Sequence, residues 1–251
     1  MILNQSLSLL AGLTFMTSCI ATPLLDGEVL RIGQSEFRVQ APEGEGPVTL
    51  VDPTTIQFTV EPGDQWEFDQ RIGKPKERAE ISGQERIAFG SVAEAKVDLR
   101  ITGQSEGSQG RWMTISQLHG PNRKTIGQDS ALGSPPLAVQ LRGEQLIFVA
   151  RGGNGLDNEM YRERIGSIAA DFGNWHRYDI RVAMGVDGRV TVDRDGETVI
   201  DWSGPVGYDA GDGLHYWKFG IYRSDGWEER SRVDLRIACA GSDKGCELDT
   251  Q

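Results

Sequence analysis

Apolar and polar residues alternate with a period of two through most of the chain beyond its first two dozen positions. "TIQFTVEP" (55–62) reads as one strand. "SVAEAKVDLRITG" (91–103) is a second, with Val97, Leu99 and Ile101 on one face. "RWMTISQLHG" (111–120) is a third, and "LAVQLRGEQLIFVARGG" (137–153) a hairpin of two more. "WHRYDIRVAMGVDGRVTVDRDGETVIDWSG" (175–204) holds three strands joined at Asp-Gly turns, which favour tight hairpins. "YWKFGIYRS" (216–224) and "SRVDLRIACA" (231–240) complete the set, while "IGSIAADFGN" (165–174) reads as a short helical or irregular crossing. No long helix, internal repeat or low-complexity linker interrupts this pattern. Many strands about ten residues apart predict an all-β, concanavalin-like jelly roll: two antiparallel sheets, one with a concave polar face.

Composition agrees and adds limits. The chain has 251 residues, 38% of them hydrophobic, and 32 glycines, as expected of a turn-rich β domain with a sizeable core. A net charge of −11 argues against a nucleic-acid or anionic-membrane binder, since phosphate binding draws on a basic surface. A few cations inside a cleft still leave room for an anionic polymer. The start, "MILNQSLSLLAGLTFMTSCIATP", has an apolar run from Leu7 to Met16 that is too short to span a bilayer and suits an export leader. Residues 1–22 are therefore assigned to a leader and 23–251 to the domain. "MTSC" resembles a lipoprotein cleavage box, with Cys19 as lipid anchor. Cleavage after Ala21 and a buried N-terminal helix are the alternatives. The expectation is export: periplasmic, outer-membrane or secreted. Cys239 and Cys246 then remain, and in an exported chain they predict a disulfide closing "CAGSDKGC".

Three segments carry chemistry. In "KPKERAEISGQER" (74–86), Arg78 and Glu80 are two apart and share a strand face; a solvated ion pair is the plain reading, yet an arginine fork also suits a carboxylate. In "RWMTISQLHG", Gln117 and His119 share a face: an amide that can hydrogen-bond a carboxylic acid beside an imidazole that can take a proton near neutrality. In "YWKFGIYRSDG", Tyr216, Lys218, Gly220 and Tyr222 lie on one face, and Trp217, Phe219, Ile221 and Arg223 on the other. Gly220 is read as room for a sugar ring. His176, in "NWHRYDI", reads as structural, and His215 as pointing away from Tyr216. "RGGNGLDNEMYRER" (151–164) reads as a rim loop offering Arg151, Arg162 and Arg164. Asp187, Asp193 and Asp195 sit in turns where a structural Ca²⁺ is conceivable without a supporting spacing. Glu67 and Asp69 of "WEFDQR" share a face as a glycoside hydrolase's two carboxylates would, but the further Glu of the laminarinase-like pattern is missing, so that reading ranks last.

Together, "RAE" (78–80), "QLH" (117–119) and "YWKFGIY" (216–222) resemble, in order, the Arg-x-Glu, Gln-Ile/Val-His and Tyr-x-Lys-x-Gly-x-Tyr motifs of β-jelly-roll polysaccharide lyases. The alginate lyases of polysaccharide lyase family 7 carry this triplet. The heparin lyase I and glucuronan lyase families are similar, and "KFGIYR" reads closer to these. Family 7 has a second arginine where this chain has Ser82; Arg86 or Arg111 is the candidate substitute. The resemblance implies β-elimination at a uronate of an anionic polysaccharide, glucuronan-type favoured over alginate or glycosaminoglycan, with no required cofactor and a monomeric chain. Arg78 and Gln117 would neutralise the carboxylate, His119 or Tyr216 would take the C5 proton, and Tyr216 would protonate O4. Lys218, Glu80, Arg86, Tyr222, Arg223 and Arg162 would contact substrate. A non-catalytic carbohydrate-binding sandwich is the competing reading.

Overall fold

The computed structural model describes residues 21–246 except 45, 74–75, 103–110, 128–129, 155–158 and 244–245. The leader, Cys19 included, lies outside them. In chain order the elements are β1 (Thr22–Pro23), β2 (Val29–Ile32), β3 (Ser35–Gln40), β4 (Val48–Asp52), β5 (Thr55–Val60), α1 (Glu67–Arg71), β6 (Lys76–Gly83), β7 (Ile87–Ala88), β8 (Val92–Thr102) and β9 (Met113–His119). Then come α2 (Arg123–Ile126), β10 (Leu137–Arg142), β11 (Gln145–Asn154), β12 (Tyr161–Ala169), β13 (His176–Ala183), β14 (Arg189–Arg194), β15 (Glu197–Ser203), β16 (Gly207–Asp209), β17 (Leu214–Ser224) and β18 (Ser231–Ser242).

Two sheets form the sandwich. One is ordered β1-β4-β5-β18-β8-β13-β14-β15, the other β12-β11-β10-β9-β17-β6-β3-β2, with β16 beside β11 and β7 beside β17. The jelly-roll expectation is met. Alternation explains the core: in β8, Ala93, Ala95, Val97, Leu99 and Ile101 are buried while the residues between them are half-exposed. Opposite, β17 sends Trp217, Phe219 and Ile221 inward, where Trp217 stacks on Phe219 and Phe37 meets Phe219 edge-on. Each such side chain contributes about 1.5–3 kcal/mol on leaving water.

The segment read as an irregular crossing, 165–174, instead begins inside β12, an antiparallel partner of β11. Its polar, glycine-containing sequence hides the alternation; a Cβ on Gly166 would lie 2.2 Å from Ile200 Cδ1, which would have to turn aside.

Two irregularities place the groove residues. Pairing of β9 with β10 shifts between Val139 and Gln140, so Thr114 and Gln117, of opposite parity, both face the groove. Pairing of β17 with β9 shifts between Phe219 and Tyr222. Gly220 sits within that shift at φ 126°, and a Cβ on it would stand 2.4 Å from the Ala79 carbonyl and 2.9 Å from Phe58 Cδ1. Its role is therefore to allow a bulge and a close approach of strand and core, not to make room for a sugar.

Cys239 and Cys246 are bonded, with Cα atoms 5.4 Å apart. The pair ties the end of β18 to the chain that follows. Serine at both positions is expected to lower stability by about 2 kcal/mol, the loop-closure entropy of so short a loop, as read from the urea midpoint, with catalytic rate unchanged.

Candidate active site

The concave face of the β9–β17–β6 sheet opens into a groove of about 790 Å³. At its centre β9 and β17 run antiparallel, and register does the positioning: His119 faces Tyr216, Gln117 faces Lys218, and Thr114 faces Tyr222. On the other side of β17, Glu80 pairs with Gly220 and Arg78 with Tyr222. Arg78, Gln117, His119, Tyr216, Lys218 and Tyr222 all line this one groove.

The His119 and Tyr216 rings stack at 4.9 Å and 22°. His119 Nδ1 lies 3.2 Å from the Gly120 carbonyl oxygen. A carbonyl only accepts, so in this contact Nδ1 carries the hydrogen. Burial pushes the Tyr216 phenol up to about 12, with Arg86 pulling the other way. The phenol thus holds its proton at neutral pH, as an acid must. The Arg86 guanidinium sits 4.4 Å from the Tyr216 ring centroid.

Beneath lies a buried ionic network. Glu80, 1% exposed, accepts from Gln117 Nε2 at 2.6 Å and Lys218 Nζ at 2.6 Å, and meets Arg78 Nη1 at 3.2 Å. Glu80 therefore acts as the hub that orients Gln117 and Lys218; the expected substrate contact is corrected, because its carboxylate is spent on these three donors. Asp69 of α1 meets Arg78 Nε at 2.9 Å and accepts from its Nη2 at 3.2 Å, while Gln40 Oε1 accepts from Nη1 at 3.3 Å. Tyr222 and Trp66 lie 4.4 and 5.1 Å from the same guanidinium. Burial raises the Asp69 pKa, and Arg78 partly opposes it.

Burial lowers the Lys218 pKa to about 8, Arg78 adding to the effect and Glu80 opposing it. With rising pH, Lys218 loses its charge and leaves Glu80 undercompensated next to the groove. The turnover rate is expected to fall through about pH 8, and Lys218→Arg, which stays charged, is expected to move that limb upward. A pH–kcat profile of both proteins checks this; an unmoved limb would exclude Lys218 as its source.

Around the floor, Arg86, Lys124, Arg142 and Arg162 line the groove, and none forms an ion pair with a carboxylate of the described residues. This contrasts with Arg100, Arg177, Arg189 and Arg232, all paired with aspartates on other surfaces. Arg151 also lines the groove but is buried and donates to the Pro135 carbonyl at 2.7 Å.

Arg223, Glu67, Asp69 and Arg164 depart from expectation, whereas His176 and His215 keep the places read for them. Arg223 is fully buried on the core face, held by Glu77 at 2.5 Å, the Glu229 carbonyl and Ser231 Oγ, so it touches no substrate. Glu67 and Asp69 lie in a helix rather than a strand; Glu67 is exposed and Asp69 buried on Arg78, so they do not form a hydrolase pair. Arg164 bonds Ser167 outside the groove. His176 is clamped between Asp195 and Asp171 at 2.6 and 2.8 Å, as a structural residue should be. His215 is buried, accepts from the Tyr208 N–H, and is pushed down to about 4 by burial. Among the described residues no group of three or more His, Cys, Asp or Glu side chains could hold a metal; Asp195 is taken by His176, and Asp193 accepts from Thr198. Trp66, Phe68 and Trp112 line the groove without having been singled out; the aromatic residues flanking Glu67 were the available signal.

Among solved structures the fold is that of β-jelly-roll lyases. An endo-β-1,4-glucuronan lyase from the fungus Trichoderma reesei superposes with a TM-score of 0.59 at 15% identity, covering 88% of this chain and 94% of that one. The alginate lyase A1-II′ gives 0.54 at 13% identity over 82% and 93%. An alginate lyase of family 7 from Zobellia galactanivorans gives 0.51 at 12% over 78% and 80%. A search of curated proteins found no match. The model of the polysaccharide lyase family matches residues 39–237. The chain belongs to that family and is a polysaccharide lyase.

Proposed function

We propose that this lyase cleaves a uronate-containing anionic polysaccharide by β-elimination, with D-glucuronate at the cleaved position. The observation that carries the reading is the stacked His119–Tyr216 pair in a groove rimmed by cations that pair with no carboxylate of the described residues. Cations that pair with no carboxylate of the described residues are suited to the repeated carboxylates of a polyuronate. Two adjacent side chains on one sheet face reach one side of a sugar ring. That suits removal of H5 and O4 from the same side, the geometry of D-glucuronate and D-mannuronate; L-guluronate and L-iduronate need opposite sides. The Trichoderma reesei relative, named as a glucuronan lyase, favours glucuronate of the two.

The carboxylate is held by the Gln117 amide and a guanidinium, so charge developing on it in the enolate-like transition state is stabilised. His119 Nε2 takes the C5 proton. The C5–H electron pair becomes the C4–C5 double bond, the C4–O4 bond breaks, and the Tyr216 hydroxyl gives its proton to O4. One product carries the new reducing end and the other the unsaturated uronate. Export fits this reading, since such polymers are extracellular and a disulfide persists in oxidising compartments.

The test is incubation with glucuronan, alginate and heparin while following ultraviolet absorbance of the C4–C5 double bond. The expected result is the fastest rise on glucuronan. New reducing ends without absorbance would make the enzyme a hydrolase, and binding without cleavage a carbohydrate-binding module.

A further inference from the structure

We propose that Arg86, not Arg78, is the guanidinium that binds the carboxylate of the uronate being cleaved; the assignment rests on the lyase reading above. The fork of Arg78 is already faced by a protein carboxylate. Nη2 donates to Asp69 Oδ1, Nε stands 2.9 Å from Asp69 Oδ2 as an ion pair without hydrogen-bond geometry, and Nη1 is shared by Glu80 and Gln40. Tyr222 and Trp66 flank the guanidinium, and its side chain is only 11% exposed. Asp69 thus stands where a uronate carboxylate would lie. A substrate carboxylate arriving there would have to displace it, or join two carboxylates already crowded on one cation.

Arg86 has the opposite character. It is exposed on the groove and meets no carboxylate of the described residues. Its Nη1 is anchored on the Gly83 carbonyl at 2.8 Å, with the Glu85 carbonyl at 3.3 Å. That holds the side chain in place and leaves the Nε–Nη2 edge, the edge that matches a carboxylate with two parallel bonds. The backbone fixes its location. Arg86 immediately precedes β7, and β7 pairs with β17 through Ile87 and His215, the residue before Tyr216. The register of a two-residue strand therefore delivers the cation to the phenol, 4.4 Å from its ring. From there Arg86 can hold the carboxylate at C5 while Tyr216 addresses O4 on the neighbouring carbon, and its charge stabilises the phenolate that Tyr216 becomes after giving up its proton.

The experiment compares free-acid glucuronan with its methyl ester, whose carbonyl lacks the charge a guanidinium reads. Arg86→Ala is expected to lower kcat/KM on the free acid on the order of a hundredfold, the loss of a charged bidentate contact, and to shrink the acid-over-ester ratio by a similar factor. Arg86→Lys is expected to restore part of both. Asp69→Asn is expected to leave the ratio where it is in the wild type. A ratio unmoved in Arg86→Ala, or one moved by Asp69→Asn instead, returns the carboxylate to Arg78 and overturns the proposal. Binding is read separately, by calorimetry with glucuronate oligosaccharides and their carboxyl-reduced counterparts. Arg86→Ala is expected to erase the preference for the charged oligosaccharide. Persistence of that preference overturns the proposal even where cleavage is seen, whereas wild-type protein that discriminates without forming unsaturated ends refutes only the lyase reading.

Discussion

Tyr216→Phe is expected to reduce unsaturated-end formation by about 10²–10⁴-fold, with KM little changed. The substitution removes one hydroxyl and keeps the ring that stacks on His119 and carries the Arg86 guanidinium. Packing is therefore preserved and only the proton is lost. The effect is large because the leaving O4 is a poor leaving group without a proton, and because the phenol, pushed to about 12 by burial, is fully protonated at working pH. His119→Ala is expected to cost a similar factor through loss of the base, but with the ring stack removed as well. Initial rates from ultraviolet absorbance, with thermal unfolding as control, decide the matter. A folded Tyr216→Phe enzyme with near wild-type kcat would remove Tyr216 from the chemistry.

The largest expected loss of stability follows Glu80→Ala: about 3–5 kcal/mol, the usual cost of stranding a buried partner charge. Glu80 is the shared anion of Arg78, whose side chain is 11% exposed, and of the buried Lys218, and the acceptor for Gln117. Without it two cations face each other across a void and the Gln117 amide loses its orientation. Asp69 remains, but its contacts are with Arg78, not Lys218. Urea unfolding measures the effect, and Glu80→Gln, which keeps the shape and an acceptor oxygen, is expected to lose less. A drop under about 1 kcal/mol for the alanine variant would mean that the network is solvated rather than buried.

Much of this architecture was readable in the chain because alternation is a local property. The inward residues of β8 and the two faces of β17 follow from parity alone. Parity also placed Arg223 with Trp217 and Phe219; likeness to related motifs pulled it toward substrate, and burial sided with parity. What alternation could not reveal is where a strand departs from it. The shifts in β9 and β17 depend on neighbouring strands, so parity alone reads Gly220 as space in the groove when it is space in the core. The binding of Arg78 by Asp69 was equally hidden, because a short helix between β5 and β6 brings the carboxylate back over a strand it does not pair with. β12 escaped because an edge strand with glycine and charges has little apolar rhythm to detect.

The division between a buried, mutually neutralised floor and an exposed rim of cations that meet no carboxylate of the described residues has a kinetic corollary. Arg86, Lys124, Arg142 and Arg162 reach into solvent, where ions screen beyond a Debye length of roughly 8 Å at physiological strength. The floor charges are shielded from those ions by protein. Added sodium chloride should therefore slow capture of the polymer and raise KM, while the rate of bond breaking in the bound state stays nearly constant.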